Sequence, residues 1–308
     1  MKIVYLGTPD FAVKPLENIL KSMHDVLAVV TQPDKPVGRK AIITPCDVKC
    51  FALKNGLKTL SYNKIRVEGV DDLKALNPDI MVTCAYGQIL SREILDIPKY
   101  GIINIHASLL PKYRGSSPIQ WAIINGEKKT GVTIMQTEEG VDTGGIISQI
   151  ETEILPNETA GELFDRLSVL GAEIIVETLD KIESGNYTIT SQNHQLATHT
   201  TMLKKQDGVI DFSKSANEIV NLVRGLNPWP VAYTYLGGKT LKIYSASTVE
   251  LKGNAGEILA YDKVNGFVVG TGDKSIKINE LQLEGGKKMN VADFMLGRKL
   301  SVGQKIGE

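Results

Sequence analysis

Short apolar runs punctuate the first half of the chain, and between them lie stretches whose apolar positions recur three and four residues apart. That alternation of strand and helix builds an α/β sheet. Strands are predicted at residues 2–6, 26–31, 58–61, 79–86, 101–107 and 130–137, and helices at 11–24, 47–55, 70–76, 118–125 and 159–184. The run DIMVTCAY at 79–86 is almost continuously apolar, as in a parallel strand covered on both faces. Leu163, Phe164, Leu167, Leu170, Ile174, Ile175 and Leu179 form a core-facing stripe along the last helix, not a cofactor site. From residue 207 the texture changes. A helix at 216–226 precedes short alternating runs at 232–236, 240–246, 256–261, 266–271 and 275–281, spaced by glycine turns as in a small β-barrel of the OB-like kind. The expected organisation is an α/β domain with a mostly parallel sheet at 1–189, a polar linker at 190–206, and a C-terminal β-barrel domain at 207–308.

One strand carries unusual chemistry. In GIINIHA, from Gly101 to Ala107, the period of two puts Ile103 and Ile105 on one face and Asn104 with His106 on the other. A lone histidine at a strand end is commonly a core residue bonded to a carbonyl. Asp142 alters that balance. The next strand runs into EEGVDTGG, a turn-rich segment that leaves a carboxylate beyond the strand's carboxyl end, the edge where open α/β sheets bind ligands.

Length and composition narrow the classes. At 308 residues two domains are expected, and 42% hydrophobic with 23% charged residues is ordinary for a globular protein. No apolar run reaches the ~20 residues that cross a bilayer, and the chain starts directly in a strand, so the cytoplasm is the expected location. Cys46, Cys50 and Cys84 are odd in number and lack metal-site spacing, so they are expected to be reduced thiols, with no metal bound. The net charge of zero divides unevenly. Residues 201–308 hold 15 basic and 11 acidic side chains, hence +4, and the rest −4. A mildly basic module suits a polyanion.

Loops add candidates. GTPD after the first strand resembles a dinucleotide-binding turn but lacks the glycine fingerprint, which excludes that site. QPDKPVGRK after the second strand is long, cationic and rich in turn residues. Trp229, between two prolines, is expected to be a packing anchor, with RNA stacking as the other reading.

The motifs NIHASLLPKYRG and GVTIMQTEEGVDTG, in that order, together with GTPDF, AYGQIL and NPWP, resemble the folate-dependent formyltransferases over the whole chain. Within that family the motifs resemble those of the members that act on methionyl-tRNA. The resemblance implies a Rossmann-like catalytic domain in which Asn104, His106 and Asp142 are catalytic. It implies 10-formyltetrahydrofolate as formyl donor, bordered by Gly87, Ile89, Leu90 and Val141 and covered by the loop of Ser108, Leu109, Leu110, Pro111 and Lys112. It further implies that Arg39, Lys40 and Arg114 meet initiator methionyl-tRNA, whose α-amino group receives the formyl unit for translation initiation. The alternative acceptor is a small amine, such as glycinamide ribonucleotide or an amino sugar. A monomer with no membrane partner is expected. In the expected chemistry, Asn104 and His106 donate to the developing oxyanion and Asp142 orients His106 and relays a proton.

Overall fold

The computed structural model describes residues 1–38 and 40–307. Seven strands form the first sheet: β1 (Lys2–Gly7), β2 (Asp25–Thr31), β3 (Thr59–Ser61), β4 (Ile80–Cys84), β5 (Ile102–His106), β6 (Lys129–Gln136) and β7 (Ile146–Glu153). Their order is β7-β6-β5-β4-β1-β2-β3, and β3, β2, β1, β4 and β5 pair in parallel. The sheet is mostly parallel because helical crossovers return the chain to the same edge. Val4 and Leu6 belong to one buried cluster with Met81 and Ile102. Ile3 and Tyr5, one residue out of phase, are buried as completely. Both faces of the central strand are therefore covered, as its apolar run requires.

After β1 the chain steps outward through β2 to β3, and after β4 it steps the other way to β5. That reversal opens a crevice beyond the carboxyl ends of β1 and β4. The sixth and seventh strands differ. β6 runs antiparallel to β5, with Ile103 opposite Gln136 and His106 opposite Thr133, and β7 runs antiparallel to β6. The carboxyl end of β6 thus lies at the amino end of β5, not at the ligand-binding edge as expected. Any residue of the following loop that reaches His106 must be carried back over the sheet.

The second compact unit is antiparallel, with strands Ala232–Leu236, Lys239–Val249, Ile258–Asp262, Gly266–Gly270, Ser275–Leu283 and Met289–Asn290 around one core that includes Leu241, Ile243, Phe267, Ile276 and Ile278. Its helix Ala216–Gly225 opens on a capping box between Ser215 and Glu218. The segment 303–307 bonds to both outer strands or their approaches: Gly307 donates to Tyr235 O at 2.9 Å and Ile306 to Gly256 O at 2.8 Å. Backbone groups at the two sheet edges are satisfied in this way.

The two units are discontinuous in sequence. The first comprises 1–115, 129–153 and 164–199, and the second 116–128, 154–163 and 200–308. The polar segment expected as a linker is bonded into the first unit over part of its length: Ile146 and Thr190 exchange two backbone hydrogen bonds of 2.8 Å, and Arg114 N–H donates to Thr198 O at 2.9 Å. Trp229 is 55% exposed, so it is not the buried anchor expected from its proline neighbours. Among the described residues no helix is long and apolar enough to cross a membrane.

Candidate active site

β5 presents Asn104 and His106 on one face, as the period of two requires, and β4 supplies the first constraint. Thr83 stands opposite Asn104 in register and its hydroxyl lies 2.9 Å from Asn104 Oδ1, with Ile103 O at 3.2 Å. A hydroxyl donor on the amide oxygen turns the amide N–H₂ away from Thr83, so Asn104 keeps two donors for another partner.

His106 is 7% exposed, and its Nε2 lies 2.9 Å from Tyr113 O. A carbonyl only accepts, so Nε2 carries the proton in this contact and Nδ1 is the other working nitrogen. Nδ1 lies 3.6 Å from Asp142 Oδ2, beyond direct hydrogen bonding but well within strong charge interaction. The tautomer corrects one expectation. With the Nε2 proton committed to Tyr113, His106 is suited to accept a proton at Nδ1 rather than to donate to an oxyanion.

Asp142 reaches His106 from the loop after β6. Its backbone is left-handed, φ 51°, and its Oδ2 accepts Gly115 N–H at 2.8 Å. Gln192 Nε2 donates to Asp142 O at 2.9 Å and to Gly144 O at 2.7 Å. Gln192 Oε1 accepts from Arg114 Nε at 3.0 Å and Nη2 at 2.6 Å. Arg114 is only 3% exposed. This corrects its expected role as a tRNA contact, because a guanidinium turned inward onto an amide is not offered to a polyanion.

The expected cofactor loop divides in the same manner. Ser108 is fully buried, donates to Lys112 O at 2.7 Å, and through its carbonyl accepts Thr133 Oγ1 at 2.6 Å. Leu110 is buried, with its N–H on Thr133 Oγ1 and its carbonyl on Gln149 Nε2. These bonds shape the loop. Leu109 and Pro111 are half-buried and Lys112 is exposed, leaving them able to meet a ligand. Near the crevice Gly87 has φ 84°, Ile89 is exposed and Leu90 is buried in the core; Val141, beside Asp142, is exposed. Lys40 is exposed beside the short hairpin of Lys35–Val37 and Ile42–Thr44, whereas Arg39 lies outside the described residues.

Other groups can be placed. Burial pushes the Cys84 thiol up to about 12, so it is an inert core thiol. His24, Asp180 and Glu183 offer ligand atoms within 4.8 Å of one another, the sort of set that could hold a cation. The Met1 ammonium already sits 2.9 Å from Glu183 Oε1, and His24 Nε2 lies 3.2 Å from Asp180 Oδ1 but off the direction of a hydrogen bond. A cavity of about 360 Å³ lined by Arg92, Asp96, Ile102, Thr137 and Glu139 opens at the amino end of β5, the opposite end from His106.

Sequence reasoning missed Thr83, Tyr113, Gly115 and Gln192. Thr83 had a faint signal as the polar interruption of an apolar strand. The others act through backbone groups or on backbone groups, which leave no mark on residue type.

The formyl transferase family matches residues 1–179, and the formyl transferase C-terminal domain matches residues 202–299. Methionyl-tRNA formyltransferase of Geobacter metallireducens is 47% identical over 308 residues, covering 100% of this chain and 99% of the relative. The protein of that name from Acetivibrio thermocellus is 46% identical with 100% of both chains covered. Among solved structures, the N-formyltransferase from Helicobacter canadensis in complex with folinic acid and dTDP-3-aminofucose has TM-score 0.69 at 21% identity, covering 94% of this chain and 100% of its own. HypX from Aquifex aeolicus in complex with tetrahydrofolic acid has TM-score 0.63 at 17% identity, covering 99% of this chain and 50% of its own. At these identities the two structures establish likeness of fold.

Proposed function

The chain belongs to the formyl transferase family, alongside its methionyl-tRNA formyltransferases, and we propose that it moves the formyl group of 10-formyltetrahydrofolate onto the α-amino group of initiator methionyl-tRNA. The observation that carries the chemistry is the meeting of His106 Nδ1 and Asp142 Oδ2 at 3.6 Å beside an amide whose N–H₂ is unclaimed by Thr83. The folate supplies an activated one-carbon unit on a nitrogen that can leave.

The residues meet three needs of that transfer. Attack by the amine turns the formyl carbon tetrahedral and places negative charge on its oxygen. Asn104 Nδ2 donates to that oxygen; losing such a donor costs about 10²- to 10³-fold in rate. His106 Nδ1 takes the proton from the attacking nitrogen and returns it to the departing folate nitrogen, so no net proton is gained or lost. Asp142, a carboxylate 3.6 Å away, stabilises the positive imidazole between those two transfers. No covalent enzyme intermediate is needed, because an α-amino group with pKa ~8 is partly neutral near physiological pH.

Gly87, Ile89, Leu109, Pro111, Lys112 and Val141 are the groups we assign to the folate, since they are the members of the expected set with surface to offer. Lys40 and the +4 of residues 201–308 are assigned to the RNA, whose binding should then weaken steeply with salt. The test is direct: incubate the protein with 10-formyltetrahydrofolate and methionylated initiator tRNA, methionylated elongator tRNA, glycinamide ribonucleotide or an amino sugar nucleotide, and identify the formylated product. Formyl-methionine on initiator tRNA is expected. Product on a small amine alone would overturn the assignment.

A further inference from the structure

We propose that Gln192, braced by Arg114, is a positioning residue that holds Asp142 against His106; the proposal rests on the catalytic reading of Asp142 given above. The need for such a device follows from the topology. β6 ends at the amino end of β5, so the loop 137–145 has to bring its carboxylate back along the sheet to the strand's other end. Asp142 arrives there in the left-handed region, φ 51°, where a residue with a Cβ stays only if its surroundings hold it.

Gln192 provides that hold with its amide fully committed. Its two N–H hydrogens go to Asp142 O at 2.9 Å and Gly144 O at 2.7 Å, one on each side of the turn. Both contacts to Oε1 come from one guanidinium, Arg114 Nε at 3.0 Å and Nη2 at 2.6 Å, which fixes the amide's orientation as well as its place. Gln192 and Arg114 are buried at 6% and 3% exposure, so water does not compete for these bonds. His194 Nδ1 lies 3.2 Å from Arg114 Nη2, and Thr198 O accepts Arg114 N–H at 2.9 Å. The residue after Arg114 completes the device, since Gly115 N–H binds the Asp142 carboxylate at 2.8 Å. One short segment, 114–115, thus controls the carboxylate directly and its backbone through Gln192.

Two variants separate this role from a merely structural one. Gln192→Glu keeps an acceptor for Arg114 but sets an oxygen against the carbonyls of Asp142 and Gly144; Gln192→Leu removes both halves. Each is expected to lower kcat at least about tenfold while KM for folate and tRNA stays within about twofold, the signature of a displaced reacting group rather than a lost binding contact. In an Asp142→Ala background neither should slow the enzyme further, because Gln192 acts through the residue already removed. The Gly115 amide, which loses its acceptor when Asp142 moves, should exchange its hydrogen faster in both variants.

Wild-type kcat in Gln192→Glu, or losses that multiply with Asp142→Ala, would overturn the proposal. If Gln192→Leu does not fold, Gln192→Glu decides alone, and Gln192→Asn, an amide one methylene short, serves as its check with the same expected loss. Asp142→Ala measured alone keeps the two claims apart. Full turnover there removes the catalytic reading, whereas lost turnover there with unaffected Gln192 variants removes only this one.

Discussion

Two neighbouring segments bring the three central side chains together by opposite means. β5 sets the face of Asn104 and His106 by repetition: a strand whose alternate residues are Ile103 and Ile105 fixes the direction of those between them, and Thr83 and Tyr113 then orient the two side chains. The loop 137–145 has no such internal rule. Its Asp142 is placed by partners at residues 115 and 192, one earlier and one later in the chain. Geometry set by a strand loses little when a neighbour changes, because the repetition still sets the face, whereas geometry set by a brace fails when any of its distant members changes.

The largest effect should come from the strand's own donor. Asn104→Ala is expected to slow formyl transfer by about 10²- to 10³-fold with an unchanged thermal midpoint, measured in single-turnover assays. An effect near twofold would leave the strand side of the comparison without chemistry. Next come two glycines that divide stability from activity. A Cβ on Gly131, within β6, would stand 2.0 Å from Ile150 O, and one on Gly144, within the loop, 1.9 Å from Gln136 O. Gly131→Ala should cost about 3 kcal/mol of stability by calorimetry. Gly144→Ala should cost less stability and more turnover, since the loop yields at the expense of Asp142's position; equal ranking of both variants in both assays would blur the distinction.

Thr83→Val keeps the shape of the strand and removes the hydroxyl that orients Asn104. A loss of about threefold to tenfold in kcat is expected, about the worth of one hydrogen bond. The smallest effect lies outside the site and serves as a control. Burial first, and then the Met1 ammonium, hold His24 below the ordinary imidazole value. The unfolded chain therefore binds more protons at mildly acid pH, so stability is whole above about pH 6.5 and declines as pH falls through that value. His24→Gln should flatten that decline in thermal midpoints between pH 7 and about pH 5 while leaving turnover alone.

The same contrast explains what the residues disclosed. The strands of the parallel sheet and the pairing of Asn104 with His106 on one face are written in local periodicity, and the antiparallel second unit in its spaced alternating runs. The identity of Asp142 was legible through family likeness, but its route to His106 was not, because the direction of β6 depends on its neighbours and not on its composition. Arg114 looked like a surface cation in a loop. It is buried because Gln192, 78 residues later, supplies an acceptor for two of its N–H groups. Trp229 failed in the other direction, an apolar ring left half in solvent.

The measurement that bears most directly on the convergence of strand and loop is a double-mutant cycle in single-turnover formylation of methionyl initiator tRNA, comparing His106→Ala, Asp142→Ala and the double variant. If the two side chains work as one proton-handling pair, each single variant should lose at least about 10²-fold and the double variant should be no slower than the worse single. Losses that multiply, or a single variant at wild-type speed, would contradict it.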